Sequence, residues 1–127
     1  MEQRADAADE DRGKAEVLRF AEMFAALGHE ARLAIVRLLL AAHPSGLVVG
    51  EIQAELGMPA STLSHHLDIL RQQGLVDVTR ERQFLRYRAA AAGLKSLLSF
   101  LYAECCTRSQ VIPLSALRPE RSKSQGR

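Results

Sequence analysis

The feature that most constrains the fold of this chain is a pair of short helical patterns joined by a glycine–proline turn. The first pattern covers residues 49–56, where apolar residues recur at helical spacing. The turn, GMPAS at 57–61, places Pro59 at the entry of the second helix, which Ser61 or a neighbour is expected to cap. The second pattern covers residues 60–73 and ends at a glycine. Two helices joined in this way predict a helix-turn-helix.

The sequence on either side completes a winged arrangement. Apolar residues at helical spacing predict two earlier helices, at 15–27 and 30–42. After the helix-turn-helix the period changes, and residues 75–89 alternate as a two-stranded hairpin with a basic tip. A last helix is predicted over 90–106. The predicted fold is therefore mostly α with a small β-hairpin, in the order ααααββα.

The length of 127 residues fits one small domain. We expect an acidic, mobile N-terminus at 1–14, an ordered domain at 15–107 and a basic, mobile tail at 108–127. No apolar run is long enough to span a bilayer, and the acidic start lacks the pattern of a signal peptide. The expected location is the cytoplasm, with no membrane partner.

The second helix of the helix-turn-helix has an outward face suited to reading DNA. Leu63, Leu67 and Leu70 define its buried side. The opposite side and its shoulders carry groups that hydrogen-bond base edges or phosphates, namely Ser61, Thr62, Ser64, His65, Asp68 and Gln72. His66 lies on the flank, and we include it as a candidate DNA contact beside the alternative that it packs against the core.

The hairpin adds a second set of DNA-binding candidates, Arg80, Arg82 and Arg86. Arg80 and Arg82 lie at the tip, which suits contact with the minor groove or the adjacent backbone. The net charge of +2 is too small to indicate nucleic-acid binding by itself. A polar helix face is often only solvated, and arginines often only keep a sheet edge soluble. It is the order of helix, turn, hydroxyl-rich helix and basic hairpin that favours a DNA reader.

Three stretches carry a family resemblance, namely ALGHEARLAIVRLLL, VVGEIQAELGMPASTLSHHLDILRQQGLV and VTRERQFLRYRA. They closely resemble the ArsR/SmtB family of winged helix-turn-helix metalloregulators. The resemblance runs from about Phe20 to Cys106. It implies a homodimeric repressor that binds a palindromic double-stranded operator and leaves it when an inducer binds. It also implies a dimer interface on the first and last helices, for which the candidates are Val17, Phe20, Phe24, Leu94, Leu97, Leu98, Leu101 and Tyr102.

The family resemblance also bears on the two cysteines, Cys105 and Cys106. Family members that sense arsenic in the first helix of the reading unit carry Cys-Val-Cys, where this chain has Val48 and Gly50. Family members that sense zinc use Asp, His and Glu in the last helix, which here has no histidine, so no zinc is expected. The segment FLYAECC resembles a third, arsenic-sensing variant with a vicinal cysteine pair. The resemblance thus implies an arsenic-responsive repressor with Cys105 and Cys106 as inducer ligands.

Thiol chemistry favours the same interpretation. Adjacent Cα atoms lie about 3.8 Å apart, below the roughly 4.4–6.8 Å of an unstrained disulfide, so a structural bridge is a poor explanation. Two thiolates fully satisfy methylarsenite, whose third bond is to carbon. Arsenite and antimonite accept three thiolates and would need a further donor, which residues 107–127 do not supply as cysteine. Two alternatives remain for the pair, which are a redox-sensing repressor of the same fold and simple apolar filling of a helix end.

An enzyme is the more distant alternative. Nucleophilic catalysis by cysteine requires a neighbouring base, and all four histidines lie at least 39 positions before Cys105. The Cys-x-x-Cys pattern of a thiol oxidoreductase is also missing from the sequence. The sequence therefore predicts a regulator and not an enzyme.

Overall fold

The computed structural model describes residues 2–105. Five helices and three short strands follow one another as α1 (Glu2–Leu27), α2 (Glu30–Ala41), β1 (Leu47–Val48), α3 (Val49–Leu56), α4 (Ala60–Gln72), β2 (Val76–Glu81), β3 (Phe84–Ala89) and α5 (Ala91–Cys105). This arrangement confirms the predicted winged helix-turn-helix. The structure contains one strand that the sequence did not predict, β1. It pairs antiparallel with β3 and gives the sheet order β1-β3-β2.

Helix α1 begins at Glu2, so the expectation that the first helix starts at Ala15 is wrong. Residues 2–14 are rich in Ala, Glu and Arg. These residue types have a high helix propensity, so they favour a helix even where no apolar stripe is present. The described side chains from 7 to 19 are all exposed, and core contacts begin only at Phe20. An exposed helix of this kind has no apolar period for sequence analysis to detect.

Helices α2, α3 and α4 form the centre of the core. Ile35 and Leu39 of α2 and Ile52 of α3 are fully buried, as are Leu63 and Leu70 of α4. Because leucines at positions i, i+4 and i+7 all lie on one side of α4, their burial fixes which side of that helix faces outward. The predicted buried side of α4 is therefore confirmed.

The two ends of α4 are fixed by backbone geometry. The helix begins after Pro59, whose carbonyl accepts a hydrogen bond from the Leu63 N–H at 3.0 Å, so the expected cap by Ser61 is not what the structure has. At the other end Gly74 adopts φ +71°. The Gly74 N–H donates to the Arg71 carbonyl at 3.0 Å, and the Leu75 N–H donates to the Leu70 carbonyl at 2.9 Å. This pair of bonds is a Schellman motif.

The wing is the hairpin formed by β2 and β3. Val76 pairs with Ala89 and Val78 with Tyr87, which places the buried side chains of the hairpin on its inner face. A two-residue turn, Arg82–Gln83, joins the strands. The predicted hairpin with a basic tip is confirmed.

The chain divides into two compact units after Leu97. The first unit is Met1–Leu97 and contains the helix-turn-helix, the wing and the start of α5. The described part of the second unit is the remainder of α5, where Leu98 is 66% exposed and Leu101 is 50% exposed. Cys106 and the basic tail predicted at 108–127 lie outside the described residues. No helix within residues 2–105 is long and apolar enough to cross a bilayer.

The first turn of α5 packs closely on the cap of α4. A Cβ atom built on Gly93 would collide with the carbonyl oxygen of Gly74, so only glycine fits at position 93 in this packing. At Gly50, in contrast, an added Cβ would meet no atom within 4 Å apart from its chain neighbours and the backbone of its own helix.

The two glycines make a matched pair for a stability test. We expect Gly93→Ala to lower the free energy of unfolding by about 1–3 kcal/mol, because the added methyl group forces α5 away from the cap. Gly50→Ala should raise it by up to about 1 kcal/mol, because alanine restricts the unfolded chain and fits the helix. Urea unfolding followed by circular dichroism measures both. Equal stabilities of the two variants would contradict the close packing.

Candidate nucleic-acid interface

The outward face of α4 presents a continuous set of polar side chains. Leu63, Leu67 and Leu70 occupy the buried side. All of the other DNA-binding candidates on this helix except His66 are exposed, namely Ser61, Thr62, Ser64, His65, Asp68 and Gln72. Hydroxyl, imidazole, carboxylate and amide groups together match both donors and acceptors on base edges.

His66 is the exception on this helix. Its side chain is only 7% exposed, and its ring centroid lies 4.7 Å from that of His29 and 5.9 Å from that of His65. The Nδ1 atom of His66 lies 3.4 Å from Nη1 of Arg32 in α2. Its inclusion among the DNA contacts therefore disagrees with the structure, which favours the packing role. The helical wheel of α4 places His66 on the flank of the helix, and tertiary packing covers that flank.

Burial controls the protonation of His66. Loss of solvation lowers the pKa of the ring below its ordinary value of 6.5, and the nearby groups His29, Arg32 and His65 lower it further. The lowered pKa therefore favours the neutral form of His66 relative to a solvated histidine. The neighbouring residue His65 is exposed on the outward polar face of α4.

The tip of the wing carries two exposed arginines, Arg80 and Arg82. The Nε–H of Arg80 donates to the carbonyl of Arg82 at 3.2 Å. Arg82 has φ +57°, a left-handed conformation that few non-glycine residues adopt. Within residues 7–103 no carboxylate forms an ion pair with either arginine. Both side chains are exposed, and their contact with phosphate stays a prediction.

Arg86 differs from the tip arginines because its side chain is engaged within the sheet. Its Nε lies 2.8 Å from the Glu81 carboxylate, and its Nη1 donates to the Gly46 carbonyl at 3.3 Å. The hydrogen bond to Glu81 raises the pKa of Arg86, and that carboxylate's charge adds to the effect. The Nε and Nη1 donors of Arg86 are therefore engaged within the chain. The geometry therefore assigns Arg86 a structural role in the wing.

The residues predicted for a dimer interface fall into two groups. Phe20 and Leu97 are buried within the chain, at 5% and 3% exposure, so they are core residues and the prediction for them is corrected. The apolar stripe of a helix packs first into the core of its own chain. A helical period in the sequence does not distinguish such core residues from residues of an interface between subunits. Exposed or half-buried members are Val17, Phe24, Leu94, Leu98, Leu101 and Tyr102.

The predicted inducer ligands lie at the end of the described chain. Cys105 is the last residue of α5, and Cys106 lies outside the described residues. Among the side chains that are described, no group of three or more His, Cys, Asp or Glu is arranged to hold a metal ion.

Two residues that sequence analysis missed, Arg32 and His29, contact the buried flank of α4. Arg32 also donates from Nε to the Ala26 carbonyl at 2.7 Å, and the Nδ1 atom of His29 accepts a hydrogen bond from the Ala31 N–H at the start of α2. Arg32 and His66 are 34 positions apart, so no local pattern pairs them. The only sequence signal is that α2 is largely apolar yet carries two arginines, Arg32 and Arg37, which does not single out Arg32.

Comparison with known proteins agrees with this geometry. A helix-turn-helix domain family matches residues 27–79. The transcriptional activator HlyU of Vibrio cholerae is 34% identical over 85 residues, covering 67% of this chain and 76% of that protein. A biofilm growth-associated repressor of Xylella fastidiosa is 32% identical over 90 residues, covering 71% of this chain and 76% of that protein.

Solved structures extend the likeness to the fold. The homodimeric winged helix-turn-helix domain of a possible ArsR-family regulator from Mycobacterium bovis has a TM-score of 0.61 at 29% identity, covering 75% of this chain and 85% of that one. Reduced HlyU from V. cholerae has a TM-score of 0.59 at 29% identity, with coverages of 75% and 97%. This chain belongs to the ArsR-like winged helix-turn-helix transcriptional regulators. Its α4 therefore occupies the position of the recognition helix, and its β2–β3 hairpin is the wing.

The adjacent histidines of the recognition helix of this ArsR-like regulator provide a direct test of the assignment. We expect His66→Ala to lower the free energy of unfolding by about 1–3 kcal/mol, because a cavity forms and the Arg32 donor loses its acceptor. His65→Ala should change it by less than about 0.5 kcal/mol, because that side chain is exposed. Urea unfolding at pH 7.5 measures both. A larger loss for His65→Ala would contradict the orientation of α4.

Proposed function

We propose that this ArsR-like regulator is a homodimeric repressor that releases its operator when a trivalent arsenical binds Cys105 and Cys106. The observation that carries the inducer assignment is that the two cysteines are adjacent and that Cys105 is the last residue of α5. Neighbouring thiolates suit a soft, thiophilic centre. The last turn of a helix already lacks full hydrogen bonding, so opening it to turn both sulfurs inward costs little.

DNA recognition in this proposal uses α4 and the wing. The exposed polar face of α4 enters the major groove, and Arg80 and Arg82 contact phosphates or the adjacent minor groove. Support comes from their exposure and from the family, whose members regulate transcription. Action on operator DNA implies a cytoplasmic location.

Dimerisation is proposed to bury exposed apolar side chains of the first and last helices. On α1 these include Val17 and Leu18, and on α5 they include Leu98 and Leu101. Large apolar side chains exposed on a helix are typical of an interaction surface. The M. bovis relative is a homodimer. A two-fold dimer presents two recognition helices to two half-sites of a palindrome.

The inducer that fits best is methylarsenite, since two thiolates complete its coordination. Arsenite or antimonite would need a third donor, such as hydroxide, a small thiol or a cysteine of the second subunit. Binding of the arsenical by the thiolates at the end of α5 is proposed to alter the dimer, and thereby the angle between the recognition helices of its two subunits. A hundredfold loss of operator affinity needs a coupling free energy of only about 3 kcal/mol.

A thiol-based redox sensor of the same fold is the second candidate function. The observation that favours it is that a structural relative was solved specifically as reduced HlyU. The same cysteine pair would then respond to an oxidant in place of an arsenical. The direction of regulation also differs among relatives, because HlyU is an activator and the X. fastidiosa relative is a repressor.

Serine variants of the cysteine pair test the inducer site. The probe is a fluorescent duplex selected from a random pool by the reduced wild-type protein, titrated with methylarsenite, arsenite, antimonite or peroxide. Cys105→Ser and Cys106→Ser should keep wild-type affinity for this duplex, because neither residue is expected to contact DNA. Both should lose the release by methylarsenite, which we expect to exceed about tenfold in the wild type.

Each arm of that titration separates one alternative. Release by peroxide alone would replace the arsenical sensor with the redox sensor. Normal release of both serine variants by methylarsenite would move the sensing site elsewhere. If no duplex is selected at low salt, the DNA-reading proposal itself is wrong.

The wing is tested by the salt dependence of binding. Arg82→Asn removes the charge while keeping a residue that tolerates the left-handed turn. We expect the slope of log affinity against log salt to become shallower by about 1, as for one lost phosphate contact. Arg12→Gln, which removes an exposed arginine of α1 paired with Asp9, is the control and should leave the slope unchanged. An equal change in both variants would indicate only a loss of net charge.

A further inference from the structure

In addition to the buried leucines of α4, one part-buried guanidinium group, that of Arg32, connects the flank of the recognition helix to α1. Arg32 donates from Nε to the Ala26 carbonyl at 2.7 Å, at the end of α1. Its Nη1 lies 3.4 Å from the Nδ1 atom of His66, on the flank of α4. The planar guanidinium thus bridges α1 and α4 from α2, and its fixed geometry sets the spacing between them.

The chemistry of this contact fixes the tautomer of His66. Arginine has only donors, so Nδ1 of His66 must accept. A hydrogen bond across this contact therefore requires a neutral ring that carries its proton on Nε2. In the doubly protonated ring both nitrogens are donors, and the hydrogen bond to Arg32 cannot form.

We propose that Arg32 is a positioning residue for DNA recognition, holding α4 through His66 in the orientation that presents its polar face to DNA, and that protonation of His66 releases this hold. The inference rests on the proposed function of α4 as the DNA reader. It adds a proton-sensitive anchor that is separate from the cysteine pair.

The surroundings of His66 make the anchor sensitive to pH in one direction. The groups that act on the ring are His29 at the start of α2, Arg32 within α2 and His65 on α4 itself. All three are cationic or can become so, and no carboxylate of the described residues is among them. Helix α1 and strand β2 also pack against α4 and add no charged group to this set.

The sign of the effect follows from the lowered pKa. A conformation in which His66 is released into water has a pKa nearer 6.5 than the anchored conformation has. The released conformation therefore takes up a proton first as the pH falls below 6.5. The anchored population, and with it the apparent operator affinity, is full above that value and declines as the pH falls through the lowered pKa.

The experiment measures operator affinity between pH 5.5 and 8.0 at constant ionic strength, with the selected duplex as probe. One proton that binds the released conformation shifts the anchored-to-released ratio by at most about tenfold between pH 8.0 and pH 5.5, so the wild type should bind about threefold more weakly at pH 5.5. In His66→Asn the amide oxygen occupies the place of Nδ1 and accepts from Arg32 without titrating, so affinity should change by less than about twofold across the range. His43→Asn, which replaces an exposed histidine outside α4 and the wing, is the matched control and should keep the wild-type profile.

Arg32→Lys tests the other side of the contact while keeping the charge. One ammonium group cannot reproduce the fork that bridges the Ala26 carbonyl and His66, so affinity at pH 8.0 should fall by about fivefold or more. Nitrogen-15 spectra of the imidazole rings give a readout independent of DNA. In the free wild-type protein at pH 7.5, His66 should be the neutral Nε2–H tautomer, and it should titrate nearer 6.5 in Arg32→Lys.

The outcomes separate this inference from the proposed function. If the wild type binds the duplex at pH 8.0 and its pH profile matches that of His66→Asn, the anchor is wrong and DNA reading stands. A His66 ring in the Nδ1–H tautomer would also overturn it. Failure to bind any duplex at any pH would instead contradict the proposed function.

Discussion

Burial of the leucine ridge of α4 is the constraint on which the rest of the structure depends. Leu63, Leu67 and Leu70 are essentially inaccessible to solvent. Removing each side chain from water stabilises the fold by roughly 1.5–3 kcal/mol. Rotating α4 about its axis would expose all three at once, so the rotation of the recognition helix is determined by the core. The polar face is outward as a consequence of this burial, whatever its own residues prefer.

Backbone contacts then determine where α4 starts and stops. The Pro59 carbonyl receives the first hydrogen bond of the helix, and the Schellman motif at Gly74 closes its last turn. Gly93 of α5 packs directly on that cap. A helix fixed in rotation by side chains and in length by its caps presents its outward residues as one rigid surface, which reading of base edges requires.

The parts of this fold that could be predicted are those with a local repeating pattern. The leucine spacing placed α4 to within one residue of its observed end, and alternation placed the wing. The start of α1 had no such signal, because an exposed helix needs no apolar stripe, and β1 is only two residues long. The ion pair of Arg86 with Glu81 depends on strand register. The contact of His66 with Arg32 joins residues 34 positions apart. Neither contact could therefore be predicted from residue spacing alone.

The distribution of charge explains why the buried histidine of the recognition helix favours its neutral form. Proteins that bind DNA gather cations at their surface, because these attract phosphates, and the tip of the wing of this chain carries two exposed arginines. The same bias leaves the flank of α4 with Arg32 and histidines and with no carboxylate acting on His66. Adding a proton there would place one more positive charge among groups that repel it, away from water and from DNA. Donation from Arg32 stabilises the neutral ring specifically, because only the neutral ring offers an acceptor. Arg32 therefore favours the one protonation state of His66 that is compatible with close packing of the recognition helix.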